Sequence, residues 1–185
     1  MLFNESMKSV FLAFAAAVLL CGCSPVYIEQ PAGSKPRDIS RNSLEGTWLL
    51  GDLALTVAVM DGTNGLLNIG WIEDNNGAFT LCEAEVLIRE HGCWDFANLR
   101  DSEWTNGIRY SWGRLGINDG LVMFWCPVES AFQDLIDAGT LPGSTNSGKI
   151  VLSSLDTNAL DFIMSGTNGF LFNWDEPLIF RKIKQ

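Results

Sequence analysis

Residues 78–89 read AFTLCEAEVLIR. Through the centre of this run Cys82, Ala84, Val86 and Ile88 fall on one side, Glu83 and Glu85 on the other. A repeat of two marks a strand with one dry and one wet face. Comparable runs occupy 48–60, 66–73, 93–99, 108–117 and 120–127. Asn64-Gly65, Asn76-Gly77, Asn106-Gly107 and Asp119-Gly120 stand between runs, and such dipeptides accept positive φ and close hairpins. Thr-Asn-Gly recurs at 63–65, 105–107 and 167–169 with unequal spacing, which marks shared turn chemistry and not an internal repeat. The natural product is an antiparallel meander.

The second half changes period. In ESAFQDLIDAG (129–139) Phe132, Leu135 and Ile136 stand at helical spacing, and Gly139 provides a C-terminal stop. DTNALDFIMSG (156–166) offers Asp156 or Thr157 as a cap and spaces Leu160, Ile163 and Met164 likewise, with a strand as the alternative. Strands at 149–155 and 177–183 complete the sheet. The expected fold class is all-β, mainly antiparallel: an up-and-down barrel or strongly curled sheet, with two short helices in the C-terminal half covering an opening or edge.

Ahead of the strands, Val10–Leu20 is an uncharged run of eleven residues. A bilayer core needs about 20, so this length fits the apolar region of a secretory leader behind Lys8. Glu5 sits badly in such a leader, and a start at Met7 removes it. The run ends in Leu20-Cys21-Gly22-Cys23, which closely resembles a bacterial lipobox. The resemblance implies cleavage before Cys23, diacylglycerol on its sulfur and acylation of the new amino terminus; Ser24 resembles the choice made for outer-membrane sorting in a Gram-negative cell. Each buried CH₂ contributes about 0.8 kcal/mol, so several acyl chains hold where one is marginal. A plain secretory signal is the competing reading, and a Cys-x-Cys metal pair loses Cys21 with the leader. The expected organisation is a signal peptide over 1–22, a lipidated, proline-bearing flexible tether over 23–43 and a single β-rich domain over 44–185.

Charge narrows the partners. The chain of 185 residues carries a net charge of −10, which repels phosphate backbones and disfavours nucleic acid. Attachment to a membrane therefore falls to the lipid and not to a basic face. Seven tryptophans and the phenylalanines supply ample apolar area for a core. Beyond Cys23 the cysteines are Cys82, Cys93 and Cys126, an odd number for an oxidising compartment, with pairing left open.

Gly46-Thr47-Trp48, just before the first strand of an up-and-down series, resembles the G-x-W start of lipocalin-like folds. In that family the tryptophan packs at the closed end of a barrel whose cavity takes small apolar molecules. Two helices in the second half depart from the lipocalin pattern of one.

Other motifs fail on context. GSTNSGKI (143–150) matches a phosphate-cradling loop as far as Lys149, but Ile150 stands where a Mg²⁺-ligating Ser or Thr is needed, and a strand follows instead of a helix. His91, the single histidine, falls in a turn with Cys93 and Asp95 nearby; alternation along a strand opposes their convergence on zinc. Glu83 and Glu85 share a face at a spacing open to paired-carboxylate hydrolysis, the least favoured reading. Trp104 and Trp174, beside acids in loops, are the best exposed-aromatic candidates for ligand or partner contact. No cofactor or catalytic residue is expected. The reading is a cell-envelope lipoprotein with a binding or interaction domain for a small apolar ligand or for an envelope protein or glycan. The alternative is an assembly accessory acting through protein contact alone, and a connected void of several hundred cubic ångströms inside the barrel, the usual scale of ligand pockets, separates the two.

Overall fold

The computed structural model describes residues 26–101, 109–146 and 148–183. In chain order, β1 (Tyr27–Ile28), β2 (Lys35–Pro36) and a short helix α1 (Arg41–Leu44) precede a run of seven strands. These are β3 (Gly46–Leu50), β4 (Leu53–Asp61), β5 (Leu66–Asn75), β6 (Ala78–His91), β7 (Trp94–Asp101), β8 (Arg109–Asn118) and β9 (Leu121–Trp125). Helix α2 (Glu129–Asp137), a hairpin of β10 (Gly143–Asn146) and β11 (Lys149–Leu152), helix α3 (Thr157–Met164) and a 3-10 helix (Gly166–Leu171) lead to β12 (Leu178–Lys182).

Strands β3 to β9 pair with their sequence neighbours, all antiparallel, and β12 lies between β9 and β3. The eight strands therefore close into an up-and-down barrel, the all-β outcome that the alternation predicts, and closure removes the free edges a curled sheet would keep. Asn76 and Gly77 both take positive φ (56° and 87°), and Asp74 Oδ1 accepts from Gly77 N at 2.6 Å, which makes the tight β5–β6 hairpin. The run 48–60 is two strands and not one, because Gly51 turns at φ 57° and sets Leu50 opposite Leu53. Inward alternation then continues on both: Trp48 on β3, and Leu55, Val57 and Val59 on β4, are all buried.

At β8 the sheet forks. Arg114–Asn118 pair with β9, while Tyr110 and Ser111 pair with β1. Gly113 stands at the fork, where a Cβ would lie 2.5 Å from the Phe124 ring and the Trp125 carbonyl oxygen, so the approach requires glycine. Beyond the fork β1 runs parallel to β11, which carries β10. GSTNSGKI is thus a hairpin and not a phosphate loop.

The expected tether is corrected from Val26 onward. Val26, Tyr27, Ile28, Ala32 and Ile39 are buried, and residues 26–44 wrap the barrel. Asn98, fully buried on β7, explains part of this: its Oδ1 accepts from Ala32 N at 2.6 Å and its Nδ2 donates to Ala32 O at 3.1 Å. Further along, Ser34 N and Arg37 N donate to Glu90 O and Ile88 O, and the Glu90 carboxylate bridges Lys35 at 2.9 Å and Arg37 at 2.6 Å. Hydrogen bonding from Lys35, then Arg37, holds the Glu90 carboxyl below its usual value. That contribution is present at neutral pH and fades as pH falls through the lowered value, and for a pair whose cations stand in solvent it is small. Prolines and charges gave this segment a solvated look, yet Val26 to Ile28 supply enough apolar surface to be drawn in.

The helices cover the outer wall of β7 and β8, not an opening. Phe132 of α2, Leu160 and Ile163 of α3, and Leu171 and Phe172 pack against Phe96 and Trp112 to form a second core outside the barrel. Residues 156–166 are helical through Met164: Asp156 caps α3 by accepting from Ala159 N at 2.8 Å, so the strand alternative is excluded. Buried His91 on β6 bonds Asp161 of α3 at 2.8 Å and ties helix to wall. Gly139, at φ 68°, ends α2 as the sequence predicts.

Burial of the N-terminal strap has a measurable consequence. Ile28→Ala is expected to cost about 2–5 kcal/mol in urea unfolding, as for a core site. A solvated tether residue would stay within about 0.5 kcal/mol.

Candidate functional site

The barrel interior carries the candidate site. Alternation sends Trp48, Leu55, Val57, Leu67, Ile69, Val86, Ala97, Leu99, Leu115, Val122, Phe124 and Phe180 toward one another, and a void of about 130 Å³ remains among them. The wall of this void is almost entirely aliphatic and aromatic. A roughly 150 Å³ apolar cavity stays dry and admits benzene, whereas drug-sized pockets run to about 300–1,000 Å³. The space here is smaller than the several hundred cubic ångströms expected of a ligand pocket and fits one ring or a short branched chain. Leaving it unfilled costs about 3 kcal/mol at roughly 24 cal/mol per Å³, a sizeable charge on a marginally stable fold.

One end of the barrel is capped. Leu44 of α1 and Ile39 are buried with the barrel core. The Trp48 indole Nε1 donates to Leu44 O at 2.7 Å. Lys182, from the last strand, donates to Asn42 O and Ser43 O at 2.8 and 3.3 Å, and its ammonium lies 5.6 Å from the Trp48 ring centroid. A lysine so placed satisfies helix-terminal carbonyls and caps the ring at once. At the other end the lining runs on through Leu50, Leu53, Cys126, Pro127 and Leu178. Leu50 and Leu53 flank the β3–β4 turn and are half-buried, so the apolar lining reaches the rim.

Polar groups facing inward are few. Glu73 is buried on β5, and its Oε1 accepts from the Trp71 indole at 3.2 Å. Burial pushes the Cys82 thiol up from its usual value, and the Glu73 carboxylate adds to this by charge and by hydrogen bonding. Cys82 is a protonated, inert core thiol at neutral pH. No disulfide joins Cys82, Cys93 and Cys126; Cys82 and Cys126 are buried, Cys93 exposed.

The sequence-based site residues fare unevenly. Cys23 and Trp104 lie outside the described residues, as does Asn106-Gly107. Trp174 is half-buried and not an exposed platform: its indole donates to Gly169 O, and its ring meets Trp125 at 5.4 Å and Trp94 at 5.7 Å. Glu83 and Glu85 sit on the outer wall, Glu83 3.4 Å from Asn68 Nδ2 and Glu85 3.3 Å from Arg100, far from any enclosed space. His91 and Cys93 do not pair, since His91 is engaged with Asp161. Among the described residues no group of three His, Cys, Asp or Glu side chains is placed to hold a metal ion. What the sequence hid was the void: inward residues follow from alternation, but the gap left by Ala97 and its neighbours depends on how eight strands close.

No family model, no curated protein and no solved structure matches the chain.

Two outcomes are expected. Ala97→Leu fills the void and raises the urea midpoint while abolishing uptake of benzene-sized probes; methyl chemical shifts of Leu55 and Val57 on benzene addition report the latter. A neutral-pH maleimide pulse labels Cys93 rapidly and leaves Cys82 unlabelled until the protein is denatured.

Proposed function

We propose that this protein binds a small apolar molecule inside its barrel and does so at a bacterial cell envelope, held by lipid on Cys23. The observation that carries the first part is the apolar void enclosed by a closed barrel with one end capped and the lining continuous to the opposite rim. A fold under no demand to receive a ligand gains stability by filling such a space. The position of Trp48 at the capped end also supports the lipocalin-like resemblance of Gly46-Thr47-Trp48. The ligand class is an uncharged ring or short chain, since an ion entering this lining has nothing to offset its desolvation.

The anchoring rests on the lipobox resemblance at Leu20-Cys23 and on the net negative charge, which leaves lipid as the means of attachment; outer-membrane placement rests on Ser24. Native-source protein analysed by mass spectrometry should begin at Cys23 with a diacylglyceryl and an acyl group, and Cys23→Ser should release it from the membrane fraction. For the cavity, isothermal titration with benzene and short alkanes should give saturable 1:1 binding with a negative heat-capacity change. An absence of binding that persists in the wild-type barrel removes the ligand reading.

A second reading has its own observation. Ile72 and Leu81 face each other across β5 and β6 on the outer wall, with Phe79 beside them, and they are 62%, 68% and 74% exposed. An apolar cluster so open on a sheet wall is what contact with another envelope protein would use. Leu81→Asp should abolish partner capture without moving the unfolding midpoint by more than about 0.5 kcal/mol.

A further inference from the structure

Outside the barrel, three tryptophans converge on one arginine. Trp94 comes from the start of β7, Trp125 from the end of β9, and Trp174 from the segment after the 3-10 helix. The Arg114 guanidinium carbon lies 4.1 Å from the Trp94 ring centroid, 4.7 Å from that of Trp174 and 5.3 Å from that of Trp125. The rings are fixed from several sides. Arg114 and Trp125 are directly opposed in the β8–β9 register. Trp174 is held where it is by the Pro127–Phe172 bridge and by Asn173 N donating to Cys126 O at 3.0 Å.

What marks this arginine is partial burial without an acceptor. Among the described residues no carboxylate lies within 4 Å of it and no oxygen accepts from it, and its Nε is buried without a partner. Cys93 and Asp95 act on it only through space, and Asp95 is engaged by Arg37 at 3.5 Å. Burial lowers the guanidinium's proton affinity somewhat, yet an arginine remains charged. The aromatic faces compensate part of the charge, but they offer nothing to five planar N–H donors. Arg114 and all three rings are partly exposed, so a solute can reach them.

We propose that Arg114, Trp94, Trp125 and Trp174 form a binding site for a carboxylate carried on a flat ring, the carboxylate meeting the guanidinium edge and the ring lying against the indoles. Planar bidentate pairing is what an arginine offers a carboxylate, and a lysine in its place does not reproduce it. Trp174 acts here as one wall of a preformed aromatic frame and not as an isolated exposed platform. The site is separate from the barrel void, whose lining excludes charge, and it does not depend on the void being occupied.

The test is a titration with benzoate, followed by the indole N–H resonances of Trp94, Trp125 and Trp174 and by the Arg114 Nε–H. Saturable shifts are expected at these four groups, with benzamide, the uncharged counterpart, at least roughly tenfold weaker. Arg114→Gln should weaken benzoate by a similar factor. Arg114→Lys retains the charge on the rings, serves as the folding control and should bind several-fold more weakly than wild type. Ala97→Leu should leave all of this unchanged, which separates the site from the barrel. Equal shifts with benzamide, full affinity in Arg114→Gln or Arg114→Lys, or no saturable shift at all would each overturn the proposal.

Discussion

Everything in this fold depends on β12 seating itself between β9 and β3. The seam on the β3 side is narrow: Arg181 opposes Leu49, Lys182 opposes Trp48, and Ile183 N adds a bond to Thr47 O at 2.8 Å. The β9 side is longer, from Leu178 to Arg181. Backbone donors and acceptors along both neighbours would otherwise face water or another chain, and the inward faces of β3 and β9 would lose their cover. The same strand delivers Lys182 to the carbonyls of α1 and to the ring of Trp48, so ring closure and end capping are one event.

Two cores then share a wall. Inward residues of β7 and β8, such as Ala97 and Leu115, belong to the barrel; outward residues, such as Phe96 and Trp112, belong to the layer built by α2, α3 and the strap. Strands buried on both faces are costly in polar terms, and Asn98 shows how the cost is met: a buried amide on the outer face takes up the backbone of Ala32. The strap is structurally as much a part of the domain as any strand. The inside of the barrel is left underfilled while the outside is tightly packed with aromatic rings, and that asymmetry locates the candidate ligand space.

Much of the fold was legible in the residues. Period-two alternation from Cys82 to Ile88 and the Asn-Gly turns lead to the meander, and Phe132, Leu160, Gly139 and Asp156 mark the two longer helices. What local pattern does not carry is long-range. Gly51-Asp52 lacks the usual turn dipeptide order, so a hairpin reads as one strand. Pro31, Pro36 and the charges around them mask a strap whose burial depends on partners far along the chain, among them Asn98, which holds Ala32. Amphipathic spacing marks the helices but not the surface they cover, because it says that a face is buried and not against what. For the site, the inward lining follows from alternation, but Arg114 among three tryptophans does not, since β7, β8, β9 and the 172–174 segment meet only in three dimensions.

The insertion between β9 and β12 has a consequence for how the chain reaches this state. Seven of the eight barrel strands follow one another from residue 46 to residue 125, and residues 126–177 separate them from the eighth. Loop closure across such a span is entropically slow, and non-local pairings of this kind lengthen folding times. Any state in which β12 has not yet docked therefore leaves an open seven-stranded sheet, with unpaired edges at β3 and β9. In that state a holding chaperone has two edges and an apolar trough to grip, and the molecule is at its greatest risk of pairing with a neighbour.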